Sequence, residues 1–162
     1  MRLNIINKFL SPTGSSKVLD DEGKKVYKVK GVFLSPRKTK KICDLEGHKL
    51  FVVKNQFFSW LRHVAYIFNA DGEKIGTIKK KKLSVTSRFE TEDFEDDIKI
   101  TGKFLHVNLD VTKDDKHVAT IIRRFSFIVD KFELQTDDVE NLPFYVAIVI
   151  ALDNIADKRE KD

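Results

Sequence analysis

The feature that most constrains the fold of this chain is an uninterrupted apolar segment near its C-terminal end. It reads LPFYVAIVIAL over Leu142–Leu152, and Tyr145 is its most polar residue. Asn141 suits a helix N-cap, and Pro143 suits the first turn, where its missing N–H costs nothing. A helix over Asn141–Ala156 would be apolar on every face, so every face must be buried. The run is too short to span a bilayer, which needs roughly 20 apolar residues.

A turn followed by a strand recurs four times upstream of this helix. The copies read DDEGKKVYKVK, DLEGHKLFVVK, NADGEKIGTIK and, in degenerate form, VTKDDKHVATIIRR. After each turn, two apolar residues are offset by three positions, as in Val26/Val29, Leu50/Val53, Ile75/Ile78 and Val118/Ile121. This offset fits neither strict alternation nor a long helix. It predicts a β-bulge in each of the four strands.

Short strand-like segments fill most of the remaining sequence. They are Leu3–Leu10, Lys38–Asp44, Val64–Asn69, Val85–Glu90, Ile98–Thr101, Phe104–Asp110 and Phe125–Phe132. The periodicity of Phe57–Phe68 fits a helix or a strand equally well. An antiparallel sheet with one apolar face must bury that face. We therefore predict a single mainly β domain over residues 1–162, a closed or nearly closed antiparallel barrel with the apolar helix at its centre.

Composition places the chain among ordinary globular proteins. It is 41% hydrophobic and 34% charged, which is neither disordered nor membranous. The net charge of +5 favours anionic partners only weakly. Cys43 is the only cysteine, so no internal disulfide can form, and it is expected to be a small buried hydrophobe. These features favour a soluble cytoplasmic protein.

The sequence contains no familiar enzyme signature. A phosphate-binding glycine loop, G-x-S-x-G, H-E-x-x-H and C-x-x-C are all missing, and the four histidines are scattered without ligand spacing. The acidic run Glu90–Asp97 lacks the spaced ligands and the glycine of a calcium loop, so we expect a solvated loop there. We therefore assign no catalytic residue, metal or cofactor and expect a non-enzymatic protein. An enzyme with an unrecognised site is the alternative.

Basic clusters supply the candidate binding residues for an anionic phospholipid head group or another phosphate-bearing ligand. They are Arg37, Lys38, Lys40 and Lys41, followed by Lys79, Lys80, Lys81 and Lys82. Four lysines beside an anionic membrane give about 4 kcal/mol, which is roughly millimolar affinity, so one cluster needs a pocket or a second cluster. Alternatively, these charges prevent edge pairing and aid solubility in a protein–protein scaffold. Nucleic acid is disfavoured, because no binding signature accompanies the aromatic residues that neighbour cations.

The chain resembles the LURP-one-related family of the tubby C-terminal-like superfamily, which also includes the phospholipid scramblases. The resemblance rests on INKFLSPTGSSKVLDDEGKKVYKVKGVFLS, DLEGHKL, ADGEKIGTIKKK, HVATIIRRFSF and LPFYVAIVIALD, in that order and spacing. It implies a barrel of about twelve antiparallel strands around a hydrophobic C-terminal helix, and it makes Phe57–Phe68 mainly strand. Tubby proteins bind phosphoinositides through basic residues, which would place such a protein at the inner membrane face. No motif transfers those binding positions to this chain.

Overall fold

A computed structural model describes residues 1–7, 14–57, 63–80, 89–102, 108–124 and 131–155 of the chain. These residues form twelve strands and one helix. The elements are β1 (Arg2–Asn7), β2 (Ser16–Leu19), β3 (Lys25–Gly31), β4 (Lys40–Cys43), β5 (Lys49–Asn55), β6 (Val64–Phe68), β7 (Lys74–Lys80), β8 (Phe89–Glu92), β9 (Ile98–Gly102), β10 (Asn108–Lys113), β11 (Lys116–Arg124), β12 (Lys131–Thr136) and α1 (Leu142–Ile155).

All twelve strands belong to one antiparallel sheet. Their order is β8-β7-β6-β5-β4-β3-β2-β1-β12-β11-β10-β9, so the first strand pairs with both the second and the twelfth. The edge strands β8 and β9 lie beside each other, and the Thr91 hydroxyl donates a hydrogen bond to the Ile98 carbonyl. The sheet therefore curls into a nearly closed barrel, as the sequence predicts.

The four predicted bulges are present. In each repeated strand the ladder skips one residue, namely Val26, Leu50, Ile75 and Val118. Without a bulge, residues three positions apart would face opposite sides of the sheet. The extra residue lets the second apolar side chain face the core while the first stays close to it; Val26, Ile75 and Val118 all pack against the core.

The centre of the core is α1. Seven consecutive residues, from Val146 to Leu152, have exposed fractions of 0%. Because seven residues make almost two full turns, no face of the helix meets solvent. The surrounding wall is formed by inward side chains of the strands, which include Leu3, Ile5, Val53, Ala65, Ile67, Ile78 and Leu134. The prediction of a buried central helix is confirmed.

Element boundaries differ modestly from the predicted ones. The helix begins one residue later than predicted and is described as far as Ile155. The described part of Phe57–Phe68 is strand from Val64 onwards, which is strand β6. Cys43 is buried, as expected. The predicted strand residues 8–10, 85–88, 104–107 and 125–130 lie outside the described residues.

The acidic run is partly the solvated loop that its composition suggests and partly the end of a strand. Its first residues, up to Glu92, belong to β8. In the turn that follows, Asp93 pairs with Lys74 at 2.8 Å, Asp96 with Lys113 at 2.7 Å and Asp97 with Lys99 at 2.9 Å. Lysines of the neighbouring strands β7, β9 and β10 attract these carboxylates, an arrangement that no local pattern reveals.

The start of α1 yields a prediction for acid stability. The hydroxyl of the buried Tyr145 donates to Asp138 Oδ2 at 2.7 Å, and Asn141 Nδ2 donates to the same carboxylate. These hydrogen bonds, the one from Tyr145 first, hold the pKa of Asp138 below its ordinary 3.8. The resulting stabilisation is complete above pH 3.8 and is lost as the pH falls through the lowered pKa.

Tyr145→Phe should therefore lower the free energy of unfolding at neutral pH by about 1 kcal/mol. It should also flatten the loss of stability between about pH 5 and pH 2. Tyr27→Phe is the matched control, because Tyr27 is half-buried and its hydroxyl bonds to no described residue. Urea unfolding at several pH values measures both effects, and an identical acid dependence of the two variants would contradict the assignment.

Candidate functional site

The fold brings both predicted basic clusters to one end of the barrel. Strands β3, β5 and β7 end there, β4 and β6 begin there, and the last turn of α1 lies there. We call it the helix-exit end. Arg37, Lys38, Lys40 and Lys41 lie in or beside the β3–β4 connection, and Lys79 and Lys80 end β7. Lys81 and Lys82 lie outside the described residues.

Two of these cations, Lys38 and Lys40, hold the end of the helix. Lys40 Nζ lies 3.1 Å from Asp153 Oδ2, and the two side chains are only 12% and 16% exposed. Lys38 Nζ donates to the Asn154 carbonyl at 3.2 Å. Positive groups at a helix C-terminus satisfy its last carbonyls and favour its negative dipole end. The basic cluster of the β3–β4 connection therefore has a structural role at the helix end.

Two buried asparagines join the helix end to the sheet. Asn55 Nδ2 donates to the Asn154 carbonyl at 3.0 Å, and Asn154 Nδ2 donates to the Lys38 carbonyl at 2.9 Å. The Asn55 carbonyl accepts a bond from Arg37 Nε at 2.9 Å, and its N–H donates to the Arg37 carbonyl at 2.7 Å. Sequence reasoning missed both asparagines. The only signal was a polar residue at the end of each apolar element.

The remaining predicted residues divide into paired and unpaired cations. Lys79 Nζ lies 2.5 Å from Glu92 Oε2 on the adjacent strand. The backbone N–H of Lys80 donates to the His63 carbonyl at 2.9 Å. Lys41 is exposed and forms no ion pair with any described residue. Among the predicted set, Lys41 is therefore the clearest candidate for contact with an external anion.

Lys41 belongs to a larger cationic feature that the local clusters did not reveal. Lys17 lies directly opposite Lys28 on β2 and β3, and Lys30 lies directly opposite Lys41 on β3 and β4. On the other side, Ile6 of β1 separates Lys17 from Lys131 of β12. We call these five residues the lysine row: Lys17, Lys28, Lys30, Lys41 and Lys131.

The lysine row lies on the outer surface of the barrel. The residues beside its members, such as Val18, Val29, Ile42 and Phe132, are at most 2% exposed and face the core. Since side chains alternate along a strand, the lysines face outward. Strands lie about 4.8 Å apart, so the row spans roughly 20 Å from β12 to β4. It follows the barrel wall close to the helix-exit end.

The lysine row has an energetic cost within the fold. Like charges directly opposite each other on neighbouring strands are destabilising. None of the five ammonium groups forms an ion pair within the described part of the chain, and Lys28 Nζ instead donates to the Leu45 carbonyl at 2.5 Å. Protection of sheet edges does not explain them, because β12, β1, β2, β3 and β4 are interior strands and the edges are β8 and β9. The row is therefore a candidate surface for binding an anionic partner.

Three side chains in the β4–β5 turn could approach one metal ion. Ligand atoms of Asp44, Glu46 and His48 lie within 4.8 Å of one another in an exposed position. Local structure accounts for this group, because Asp44 Oδ1 accepts hydrogen bonds from the backbone N–H groups of Gly47 and His48. The hydrogen bond to Asp44 also raises the pKa of His48. The arrangement is that of a hydrogen-bonded turn.

Over the residues that the structure describes, no helix has the length and apolarity needed to cross a membrane.

Comparisons with known proteins give a family and a fold. No curated protein matches this chain. The crystal structure of a protein from Arabidopsis thaliana is similar in fold, with a TM-score of 0.59 and 14% sequence identity over 94% of this chain and 91% of that one. The model of the LURP-one-related family matches residues 1–153. The chain therefore belongs to the LURP-one-related family.

Proposed function

We propose that this protein is a non-enzymatic binding protein that recognises anionic phospholipid head groups at a membrane surface. The observation that carries the proposal is the lysine row, two pairs of which are directly opposed across neighbouring strands without a described carboxylate between them. A sheet gains nothing from such pairs in isolation. An anionic surface would offset this repulsion by attracting both ammonium groups of each pair. Analogy with lipid binding by tubby proteins points the same way.

The magnitude of the attraction supports a reversible peripheral association. Five lysines near an anionic leaflet contribute about 5 kcal/mol at ~1 kcal/mol each. That corresponds to a dissociation constant of roughly 0.2 mM. Of the residues predicted from the sequence, the proposal keeps Lys41 as a direct contact. It leaves Lys79–Lys82 as secondary candidates. It assigns Lys38 and Lys40 mainly to the helix end and Arg37 mainly to its contact with Asn55 of β5.

The non-enzymatic part of the proposal rests on the partners of the perturbed groups. Hydrogen bonds with Asp115 and Asp97 raise the pKa of Lys99. Burial and the bond to Asp138 raise the pKa of Tyr145. Each of these groups has a structural explanation, so neither points to acid–base chemistry. A protein–protein scaffold that uses the same surface is the competing function.

Co-sedimentation with phospholipid vesicles tests the proposal. The wild-type protein should partition onto vesicles of phosphatidylcholine and phosphatidylserine but not onto phosphatidylcholine alone. Partitioning should weaken between about 0.1 M and 0.5 M salt, because the Debye length falls from about 10 Å to about 4 Å. Replacing Lys17, Lys28, Lys30 and Lys41 with glutamine should reduce partitioning by about tenfold or more.

A control variant of equal charge makes the test specific. Lys24, Lys25, Lys49 and Lys116 are also exposed, but they lie at the opposite end of the barrel. Changing these four to glutamine should leave most of the partitioning intact. A third variant, with Lys79–Lys82 changed to glutamine, measures the contribution of that run. Equal binding by the row variant and the control, or no binding to anionic vesicles at all, would favour the scaffold instead.

A further inference from the structure

The β3–β4 connection carries an apolar tip that the fold does not bury. Val32, Phe33 and Leu34 are consecutive, and their exposed fractions are 42%, 60% and 82%. The connection begins two residues after Lys30 of the lysine row and ends two residues before Lys41 of that row. Neighbouring large apolar side chains that stay in water mark an interaction surface more often than single ones do.

The base of this connection is held firmly while the tip is left out. The Val32 N–H donates to the Thr39 carbonyl at 2.9 Å, and the Ser35 and Thr39 hydroxyls are 2.9 Å apart. Asn55 and Asn154 bond to the backbone of Arg37 and Lys38, as described above. The tip therefore projects from a fixed platform at the helix-exit end.

The tip also adopts a backbone conformation that its sequence disfavours. Leu34 has a φ of +53°, in the left-handed region that leucine rarely occupies. Such a conformation persists only where the surrounding structure imposes it. Here it leaves Leu34 in solvent, which gives the folded chain no compensating burial. Burial of the Leu34 side chain in a binding partner would compensate for the cost of this conformation.

We propose that Val32, Phe33 and Leu34 form a membrane-insertion tip that enters the acyl region of an anionic phospholipid bilayer while the lysine row contacts the head groups. The inference rests on the proposed function and adds a hydrophobic contact to it. An apolar projection bordered by cations matches the two layers of an anionic leaflet, charge outside and hydrocarbon beneath. Insertion supplies the second contact that charge alone lacks, because attraction by the lysine row saturates near submillimolar affinity.

A fluorescence experiment places the tip relative to the bilayer. Trp60 is the only tryptophan, so a Trp60→Phe background allows a single reporter. In that background, Phe33→Trp should show blue-shifted emission and quenching by bromine-labelled acyl chains in phosphatidylserine-containing vesicles. The matched control is Val139→Trp, since Val139 is 54% exposed at the opposite end of the barrel. Its emission should not change.

A binding experiment on the chain with its own tryptophan provides an independent measurement. We combine Phe33→Ser with Leu34→Asn, because asparagine tolerates the left-handed conformation and both positions are exposed. The thermal unfolding midpoint should stay within about 2 °C of the wild type. Partitioning onto the same vesicles should fall by about tenfold or more, and the binding that remains should be more sensitive to salt.

The outcomes separate this inference from the proposed function. If the tip variant and the wild type bind anionic vesicles equally and the residue-33 reporter is not quenched, insertion is overturned. Head-group recognition by the lysine row is then unaffected. No binding by the wild type overturns both. A wild-type dimer in light scattering that the tip variant abolishes assigns the tip to contact between two copies, and also overturns insertion. Loss of vesicle binding by the tip variant, together with quenching of the residue-33 reporter, supports insertion.

Discussion

Replacing Leu152 with aspartate will abolish the cooperative unfolding transition of this protein. Leu152 has an exposed fraction of 0% and lies on a helix that the barrel wall encloses. The substitution removes about 2 kcal/mol of apolar burial and places an unpaired carboxylate where no solvent reaches, at a cost of several kcal/mol more. The sum approaches the whole stability of a typical domain, about 5–15 kcal/mol.

A matched substitution shows that burial is the cause. Leu45→Asp makes the same chemical change at a turn residue that is 46% exposed. It should retain a sigmoidal thermal melt close to that of the wild type. Circular dichroism and thermal denaturation of the two variants measure the difference. A Leu152→Asp protein that melts cooperatively would mean that the helix can leave the barrel while the sheet persists.

Lys40→Met should destabilise the fold by about 2–3 kcal/mol, somewhat less than the loss expected for a fully buried pair. It leaves Asp153 without its cation in a position that is only 16% exposed, beside the negative end of the helix dipole. The comparison is Lys74→Met, which breaks an ion pair of similar length whose partners are about half exposed. That variant should change stability little, because water screens exposed pairs.

The double variant Lys40→Met/Asp153→Leu completes the cycle. Removing both charges eliminates the unpaired carboxylate, so much of the lost stability should return. Urea denaturation of the wild type, both single variants and the double variant measures the coupling. If Lys40→Met costs no more than Lys74→Met, Lys40 is not needed at the helix end and becomes available as a ligand contact.

Much of the fold could be predicted because each signal was local. A helix formed by the apolar run after Asn141 has no polar face, so other elements must enclose it. The rest of the sequence predicts mainly short strands, which can form that enclosing sheet. The offset between Val26 and Val29 marks a bulge without reference to any distant residue, and the ladder skips Val26. Strand ends were harder to predict, since pairing partners determine where a strand stops.

The candidate site could be predicted only in part, because its geometry arises from register. Lys17 and Lys28 are far from forming a sequence cluster, and only the β2–β3 pairing makes them neighbours. Conversely, Lys40 looked like part of a free basic cluster until Asp153, more than a hundred residues later, proved to be its partner. Runs of charge in a sequence reveal composition, whereas exposure and pairing depend on contacts between distant segments.

The position of α1 in the chain order has a consequence for synthesis. Every described strand emerges from the ribosome before the helix that fills the barrel, and β1 must wait for β12 before its second ladder can form. At about 5–20 residues per second, the inward faces of the early strands stay uncovered for roughly 7–30 s. During that interval the uncovered apolar faces expose the nascent chain to aggregation. The core is complete only when α1 packs inside the barrel.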